Sequence, residues 1–256
     1  MNERRDTPDP RDVATVRRWL HGAQRVAVLT GAGMSAESGI PTFRDAQTGL
    51  WSRFDPAQLA SVEGFRAAPS LVWNWYATRR MSMRAAQPNA GHVALAEYAR
   101  LRPGVLSVMT QNVDDLHQRA GTTDAIRLHG DILEDRWLSP CPRGRACAVA
   151  AAQPGEPPRC AECGNLVRPG VVWFGEMLPP AAIDAAERAA RGCDAMLVVG
   201  TSGAVWPAAG LAGLARRHGA KVVIVNPQPS EIDEDAQVVL RGTAAQTLPT
   251  LLLQEP

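Results

Sequence analysis

Four cysteines in one short segment could bind a metal ion. Cys141, Cys147, Cys160 and Cys163 follow the spacing C-x5-C-x12-C-x2-C, and Gly164 allows the tight turn that brings the last two thiolates together. Four thiolates suit tetrahedral Zn2+ and leave no open coordination position, so the ion would be structural. Two disulfides or four unrelated thiols are the alternatives; a reducing compartment argues against the first, and the clustering argues against the second. The fifth cysteine, Cys193, is expected in the core.

A turn of small residues follows the first apolar run and could bind phosphate. Gly31 and Gly33 follow residues 25–30, a β-branched run that predicts a buried parallel strand. Glycine lets the backbone approach a pyrophosphate, and a helix beginning there would offer free N–H groups. Ala36 stands in place of a third glycine, and the acidic residue that usually ends a second strand is missing. The turn therefore predicts a dinucleotide site unlike that of an ordinary dehydrogenase; a simple packing turn is the alternative.

Polar residues that could do chemistry follow the other predicted strands. His129 follows a short strand and precedes a glycine, where an imidazole could act as a general base, although a lone histidine can also merely pack at a turn. Gln111, Asn112 and Asp114 follow another strand and could hold a carboxamide and a ribose, although Asn112 could instead cap a helix. Weaker candidates at later strand ends are Gly200, Thr201, Ser202 and Asn226.

The elements that position these residues alternate between strand and helix. Apolar runs predict strands at 25–30, 105–110, 125–128, 195–199, 221–225 and 238–240. Helices are expected after capping residues Asp12, Ser70 and Asn89, in an alanine-rich segment between the strands at 195–199 and 221–225, and at the C-terminus. Residues 41–60 predict a long loop. Alternation of this kind predicts an α/β fold, a Rossmann-like parallel sheet with flanking helices, to which the cysteine segment adds a small zinc-binding module.

Composition sets bounds on location and partners. The chain has 256 residues, 45% of them hydrophobic and 21% charged, with a net charge of +1. This balance predicts no general affinity for nucleic acid or membrane surfaces. No run approaches the roughly 20 apolar residues of a membrane span, and the first ten residues lack the apolar region of a secretory signal, so a cytoplasmic protein is expected. The excess of arginine and alanine is typical of a GC-rich bacterial genome.

Several segments together resemble the sirtuins, the NAD-dependent protein-lysine deacylases. Residues 31–44, GAGMSAESGIPTFR, are similar to the NAD-binding signature of that family over fourteen positions. Four further segments agree in order: TQNVDDLH at 110–117, LHGD at 128–131, the cysteine module with RPGVVWFGE at 168–176, and GTS at 200–202. The resemblance runs from about residue 20 to the C-terminus and implies NAD as co-substrate and one structural zinc ion.

The resemblance also implies roles for individual residues. The acyl-lysine oxygen would attack C1′ of the NAD ribose as nicotinamide leaves, and His129 would accept a ribose hydroxyl proton so that O-acyl-ADP-ribose forms. Asn112 and Asp114 would assist at the nicotinamide side, and Phe43 and Arg44 would close over the reacting ribose. The residues expected to bind NAD are Gly31, Ala32, Gly33, Ser35, Phe43, Arg44, Gln111, Asn112, Asp114, Gly200, Thr201, Ser202, Asn226 and Ala244.

Two features concern the substrate. In sirtuins a peptide inserts as a strand between two segments that match residues 173–176 and 203–206 here. The resemblance implies binding by Val172, Trp173, Phe174 and Gly175 and low sequence selectivity. Tyr76 and Arg79 are three residues apart and would share a helix face, where a phenol and a guanidinium could hold a carboxylate. A surface arginine on an amphipathic helix is the alternative. The pair resembles that of class III sirtuins, which remove succinyl and malonyl groups.

These observations predict one catalytic domain over residues 1–256, with a Rossmann-like NAD-binding part at 12–132 and 172–256 and a zinc-binding module at 133–171. The predicted activity is deacetylation with desuccinylation or demalonylation of protein lysines. Protein ADP-ribosyltransferase activity, which uses the same NAD cleavage, is the alternative. A non-catalytic NAD-sensing module is a third, which His129, Asn112 and Asp114 argue against. The expected partners are acyl-lysine proteins or peptides, and a monomer is expected.

Overall fold

The chain folds as two units, each built from more than one segment. This computed structural model describes residues 8–41, 56–144, 146–150 and 152–255. The first unit comprises Met1–Thr42, Ala86–Leu128 and Pro179–Pro256, and the second comprises Phe43–Ala85 and His129–Leu178. The predicted zinc-binding module at 133–171 falls within the second unit, which also contains Phe43–Ala85. The predicted domain boundaries stay a prediction.

Helices and strands are numbered here in chain order. The described helices are α1 (Pro10–Gly22), α2 (Pro56–Leu59), α3 (Val62–Ala67), α4 (Pro69–Ala85), α5 (Ala90–Leu101), α6 (Leu116–Ala120), α7 (Pro180–Gly192), α8 (Gly210–Arg217) and α9 (Ala244–Leu253). The described strands are β1 (Val26–Thr30), β2 (Leu106–Thr110), β3 (Ile126–Arg127), β4 (Gly130–Trp137), β5 (Val167–Val171), β6 (Ala195–Val199), β7 (Lys221–Val225) and β8 (Val238–Leu240).

A six-stranded parallel sheet forms the centre of the first unit. Its order is β3-β2-β1-β6-β7-β8, so β1 lies between β2 and β6 with all strands in the same direction. Every residue of β1 and β6 is buried, as expected for strands covered on both faces. The parallel α/β sheet predicted from the sequence is confirmed. Because all strands run the same way, their carboxyl ends lie along one edge, where such folds bind ligands.

Side-chain caps begin helices α1 and α5 of the first unit. Helix α1 begins one residue after Asp9, whose carboxylate accepts the Arg11 N–H at 2.8 Å. The prediction that Asp12 caps this helix is wrong, because Pro10 already fits the first helical turn and Asp12 lies inside it. Asn89 caps α5 as predicted, and its side chain accepts the N–H groups of Gly91 and His92.

The segment after the glycine turn departs from the prediction. Two single 3-10 turns, Ala32–Met34 and Ala36–Ser38, stand where an α-helix was expected. The second ends at Gly39, which has a φ of +82°, and Pro41 then disfavours helical geometry at Ile40. Close backbone approach, rather than the N-terminus of a long helix, is therefore what this turn can offer a phosphate.

An antiparallel pair of strands organises the second unit. Strands β4 and β5 pair with a register shift between Asp131 and Asp135, and helix α4 packs against both. The sequence prediction included neither strand. Within the described residues, no helix combines the length and apolar character needed to span a bilayer.

Candidate functional site

Three glycines bring the ends of β1 and β6 into direct contact. The Gly31 N–H donates to the Val199 carbonyl at 2.9 Å, and the Gly33 N–H donates to the Gly200 carbonyl at 2.8 Å. A Cβ on Gly33 would lie 2.7 Å from the Gly200 Cα, and Gly200 itself has a φ of +63°. A side chain at either position would push the two loops apart, so glycine is required for this approach.

Ser35 is the centre of a buried polar network beside this turn. Its hydroxyl donates to the Asp114 carboxylate at 2.9 Å and accepts the Asn112 amide N–H at 3.1 Å. Asp114 also accepts the Leu116 N–H at 3.1 Å. Burial raises the pKa of Asp114, while these hydrogen bonds oppose the shift. Three of the predicted site residues, Ser35, Asn112 and Asp114, are thus brought together although 79 positions of sequence separate the first and last.

Two buried histidines that the sequence analysis did not select extend the network. His92 Nδ1 accepts the Asn89 N–H at 3.3 Å, so its proton is on Nε2, which lies 3.5 Å from the Ser35 hydroxyl. His117 Nε2 lies 3.0 Å from the Thr30 hydroxyl. The two rings meet edge to face with centroids 4.9 Å apart. The available signal was the position of His92 three residues after a capping asparagine, where a side chain can reach back to the cap.

Both histidines are held neutral. Burial, with the neighbouring His117 adding to it, lowers the pKa of His92 to about 3. Burial together with the Arg127 charge lowers the pKa of His117 to about 4. Since the Thr30 hydroxyl donates to Thr110 at 2.8 Å, the Nε2–H of His117 donates to Thr30, and its Nδ1 is buried without a partner among the described residues. These imidazoles therefore serve as hydrogen-bonding groups rather than as bases near neutral pH.

The carboxyl ends of the other strands contribute further predicted residues. The Gln111 amide donates to the Thr201 hydroxyl at 3.2 Å, and the Asn226 amide donates to the Thr201 carbonyl at 3.3 Å. Ala244 is buried at the start of α9. The backbone N–H of the next residue donates to Glu37 at 2.9 Å. Ser202 accepts the Glu231 N–H through its carbonyl. Predicted residues Phe43 and Arg44 lie outside the described residues.

In the second unit, the half-buried His129 directly precedes β4. The carbonyl of His129 accepts the Val172 N–H at 2.8 Å. The next residue, Gly130, has a φ of +79°, and a Cβ there would lie 2.2 Å from the Gly170 carbonyl oxygen. The backbone around His129 is therefore fixed by the pairing of β4 with β5.

Tyr76 and Arg79 both belong to helix α4, as predicted, and both contact aromatic rings. The Tyr76 hydroxyl accepts the indole N–H of Trp173 at 2.8 Å, and the Arg79 guanidinium lies 4.9 Å from the Trp75 ring centroid. Burial raises the pKa of Tyr76 to about 12, against the Trp173 hydrogen bond and the nearby Arg79 charge. Tyr76 therefore keeps its hydroxyl proton and can donate it in a hydrogen bond.

A partly buried ion pair that the sequence analysis did not select holds the segment predicted to bind peptide. The Arg168 guanidinium binds both oxygens of Glu176, at 2.6 and 3.1 Å, and stacks 3.3 Å from the Trp173 ring centroid. Glu176 also accepts the Trp173 N–H at 2.8 Å. Burial lowers the pKa of Arg168; burial also acts to raise that of Glu176, but the Arg168 and Trp173 hydrogen bonds outweigh it and lower the pKa. The pair is thus charged and fixes Trp173.

The rest of that segment differs in exposure along its length. Val172 is half-buried, Phe174 is half-exposed and Gly175 is exposed, with a φ of +83° at Gly175. The Phe174 N–H donates to the Ala60 carbonyl at 2.9 Å, and Phe174 forms an isolated parallel bridge with Ser61. The segment therefore combines a fixed backbone with an apolar side chain open to solvent.

Three of the four predicted metal ligands form a cluster of thiols. The Sγ atoms of Cys141, Cys147 and Cys163 lie within 4.8 Å of one another, with Cys163 at 3.9 Å from the first and 3.6 Å from the second. Sulfurs bound tetrahedrally at about 2.3 Å from zinc would be about 3.8 Å apart. The spacing of these thiols therefore fits a zinc ion, and a disulfide is present at none of them.

Cys160 is not one of the three clustered thiols. It is buried, and backbone N–H groups of Cys163 and Glu162 donate to its sulfur and lower the pKa of Cys160 to about 6. A thiolate stabilised in this way is the form that binds zinc. Cys160 as fourth ligand stays a prediction. Ser139 and Asn165 bond to each other beside the cluster, and the Asn165 amide lies 3.8 Å from the Cys147 sulfur.

The sequence of this chain is similar to a known protein family and to several named relatives. Residues 31–207 match the model of the Sir2 family. A protein of Ralstonia nicotianae named NAD-dependent protein deacylase is 54% identical over 93% of this chain and 95% of its own length. A Pseudomonas aeruginosa protein named NAD-dependent protein deacylase 1 is 50% identical over 91% of this chain and 95% of its own.

Solved structures agree in fold. A Sir2 homologue in complex with NAD superposes with a TM-score of 0.83 at 42% identity, covering 94% of this chain and 92% of that one. Sir2Tm bound to a propionylated peptide gives a TM-score of 0.79 at 29% identity, covering 94% and 97%.

Proposed function

This chain belongs to the Sir2 family, and on that premise we propose that it is an NAD-dependent protein deacylase that releases acyl groups from lysine side chains as O-acyl-ADP-ribose. The observation that carries the proposal is the buried network of Ser35, Asn112 and Asp114 beside the glycine turn, at the edge of the sheet where α/β folds bind nucleotides. The names of the relatives and the acylated peptide bound to a related structure support it.

In the proposed reaction, each polar group of this chain has a defined task. Asn112 and Asp114 bind the nicotinamide side of NAD, where Ser35 holds both side chains in place. The oxygen of the acyl-lysine amide attacks C1′ of the ribose, and nicotinamide leaves. His129 accepts the proton of a ribose hydroxyl, which then attacks the acyl carbon. Water releases the free lysine and O-acyl-ADP-ribose, so NAD is consumed and no hydride is transferred.

The cysteine cluster would hold one zinc ion, which has a structural role in this proposal. Bound zinc supplies a rigid cross-link between the two halves of the segment from Cys141 to Cys163. Three thiols at suitable spacing and a fourth with a lowered pKa fit this role.

We further propose that the enzyme accepts succinyl and malonyl groups besides acetyl. Tyr76 keeps its hydroxyl proton, a guanidinium such as that of Arg79 is positively charged in proteins, and both side chains share one face of α4. A carboxylate could accept the hydroxyl hydrogen and pair with the guanidinium. An acetyl group has no terminal carboxylate and would need neither of these two donors.

The test of this specificity is the double substitution Tyr76→Phe with Arg79→Met, assayed with succinyl and acetyl forms of one peptide. Two lost charge-assisted hydrogen bonds should lower desuccinylation at least about 100-fold, while deacetylation falls much less. Arg84→Met, which removes an exposed positive charge from the same helix, should leave the ratio of the two activities as in the wild type. Equal losses of both activities in the double variant would refute the carboxylate clamp.

A further inference from the structure

The indole of Trp173 contacts the functional end of Tyr76. Its N–H donates to the Tyr76 hydroxyl oxygen at 2.8 Å, and both side chains are at most 5% exposed. An indole nitrogen donates only, so it occupies a lone pair of the phenol oxygen and leaves the phenol hydrogen to point elsewhere. Among the described residues, no acceptor lies within hydrogen-bonding distance for that hydrogen. The Trp173 contact therefore limits the directions in which Tyr76 can donate.

Trp173 cannot turn away from this contact without breaking several others. The Arg168 guanidinium carbon lies 3.3 Å from the centre of its ring, and Phe65 packs against the ring with centroids 5.2 Å apart. The Trp173 N–H donates to Glu176 at 2.8 Å, and Glu176 in turn pairs with Arg168. The indole is thus held at its face, its edge and its backbone, and its N–H has a fixed direction.

Electrostatics around Tyr76 favour an anionic acceptor for its hydroxyl hydrogen. Arg168 and Arg79 both lie near enough to act on the phenol, and the Arg168 charge is balanced by Glu176. Arg79 therefore adds a second positive charge on the Tyr76 side. A hydroxyl hydrogen with a fixed direction beside a guanidinium matches a carboxylate, whose oxygens accept both kinds of donor.

We propose that Trp173 is a specificity-determining positioning residue, whose indole N–H orients the Tyr76 hydroxyl to donate to the terminal carboxylate of a succinyl or malonyl group. This inference rests on the acyl specificity proposed above. It differs from a packing role in one respect: phenylalanine would preserve the stacked apolar ring at position 173, but it would lose the N–H that orients the phenol.

A double-substitution cycle separates the two roles. Wild type, Trp173→Phe, Tyr76→Phe and the double variant are assayed for kcat/KM with succinyl and acetyl forms of the same peptide. The measured quantity is the ratio of desuccinylation to deacetylation, because a ring change in the segment predicted to bind peptide can lower both rates. Trp173→Phe should lower this ratio about tenfold, the effect of one misdirected hydrogen bond to a charged group. In the Tyr76→Phe background the same substitution should change the ratio less than about twofold.

The controls distinguish this inference from the specificity on which it rests. Trp19→Phe, the same substitution in helix α1, should leave the ratio unchanged, and the zinc content and melting temperature of each variant report folding. The inference alone is overturned if Arg79→Met destroys selectivity while Trp173→Phe preserves it, or if Trp173→Phe lowers the ratio equally with and without the Tyr76 hydroxyl. If the wild-type enzyme has no desuccinylase activity, the proposed specificity and this inference are both overturned.

Discussion

At the scale of single residues, the site depends on hydrogen bonds that leave buried groups in one protonation state. His92 illustrates this, because its Nδ1 accepts the Asn89 N–H and its Nε2–H faces Ser35. Protonation of Nδ1 would break the bond to the cap of α5 and place a charge beside the neutral His117. The two nitrogens of one imidazole therefore serve helix capping and the orientation of Ser35, which holds Asn112 and Asp114.

This arrangement predicts that stability falls on acidification. The folded-state pKa values of His92 and His117, about 3 and about 4, lie below the value of about 6.5 for an unfolded chain. Above pH 6.5 both imidazoles are neutral in both states, so they add no pH dependence. Below it, the unfolded state binds protons that the folded state does not, and the free energy of unfolding should fall by up to about 1.4 kcal/mol per pH unit for each imidazole.

Urea denaturation between pH 8 and pH 4.5 measures this dependence. His117→Gln should lower stability at pH 8 but show a shallower decline below pH 6.5 than the wild type. The exposed His218 provides the matched control, and His218→Gln should follow the wild-type slope. Identical slopes for wild type and His117→Gln would show that this imidazole does not carry the acid sensitivity.

At the scale of elements, the contact between the β1 and β6 loops determines whether the nucleotide-binding edge can form. A methyl group on Gly33 would meet the Gly200 backbone at 2.7 Å, which is closer than real Cβ contacts. The Gly200 backbone accepts the Gly33 N–H and donates its own N–H to the Val225 carbonyl, so it cannot move away easily.

Gly33→Ala should therefore weaken NAD binding at least tenfold and lower the melting temperature by several degrees. The control is Gly22→Ala at the end of α1, where a Cβ would meet nothing within 4 Å and alanine should be neutral or slightly stabilising. Isothermal titration calorimetry with NAD and a thermal melt measure both effects. Wild-type NAD affinity in Gly33→Ala would mean that the approach of the two loops is not needed for binding.

The thiol cluster makes a separate prediction about the second unit. Cys163 lies within 4 Å of two other thiols, so Cys163→Ser should remove most of the roughly one zinc ion expected per chain. Cys193→Ser should retain the metal, because the Cys193 thiol donates to the Ala190 carbonyl in the other unit. Cys160→Ser tests the fourth ligand. Elemental analysis of the purified proteins measures the zinc content per chain. A wild type without zinc, or a Cys163→Ser variant with as much zinc as the wild type, would contradict the metal site.

The sequence predicted the elements that have strong local patterns. Strands β6, β7 and β8 match the predicted bounds, because continuous apolar runs between turns mark buried parallel strands. Strands β4 and β5 were missed: β4 carries charged residues at Asp131, Glu134 and Asp135, and β5 contains Pro169 and Gly170, so neither shows a strand pattern. The two strands form because they pair with each other, not because their own sequences have a high strand propensity.

Local sequence patterns likewise predicted only part of the candidate site. Ser35, Asn112 and Asp114 were selected from a motif, and the structure brings them together. Arg168 and Glu176 were quoted only as part of a motif, and their partly buried ion pair depends on the fold of the second unit. His117 was not selected, because no local pattern indicates that its ring reaches Thr30, 87 positions away.

At the scale of the whole molecule, the two units carry different parts of the proposed reaction. The first unit contains the glycine turn and the Ser35 network, and the second contains His129, the thiol cluster and the Tyr76–Trp173 contact. The Ralstonia and Pseudomonas relatives align over 93% and 91% of this chain. The central claim is that this chain consumes one NAD for each lysine that it deacylates, and that His129 supplies the base.

One measurement tests that claim most directly. Zinc-replete wild type and His129→Ala are incubated with NAD and an acetyl, malonyl or succinyl peptide, and mass spectrometry follows nicotinamide, the peptide and the ADP-ribose product. Wild type should convert acyl peptide to free lysine with one O-acyl-ADP-ribose per nicotinamide, and His129→Ala should form product at least about 100-fold more slowly. His218→Ala should match wild type. Peptide that gains ADP-ribose, NAD left intact with every acyl peptide, or full activity in His129→Ala would contradict the account.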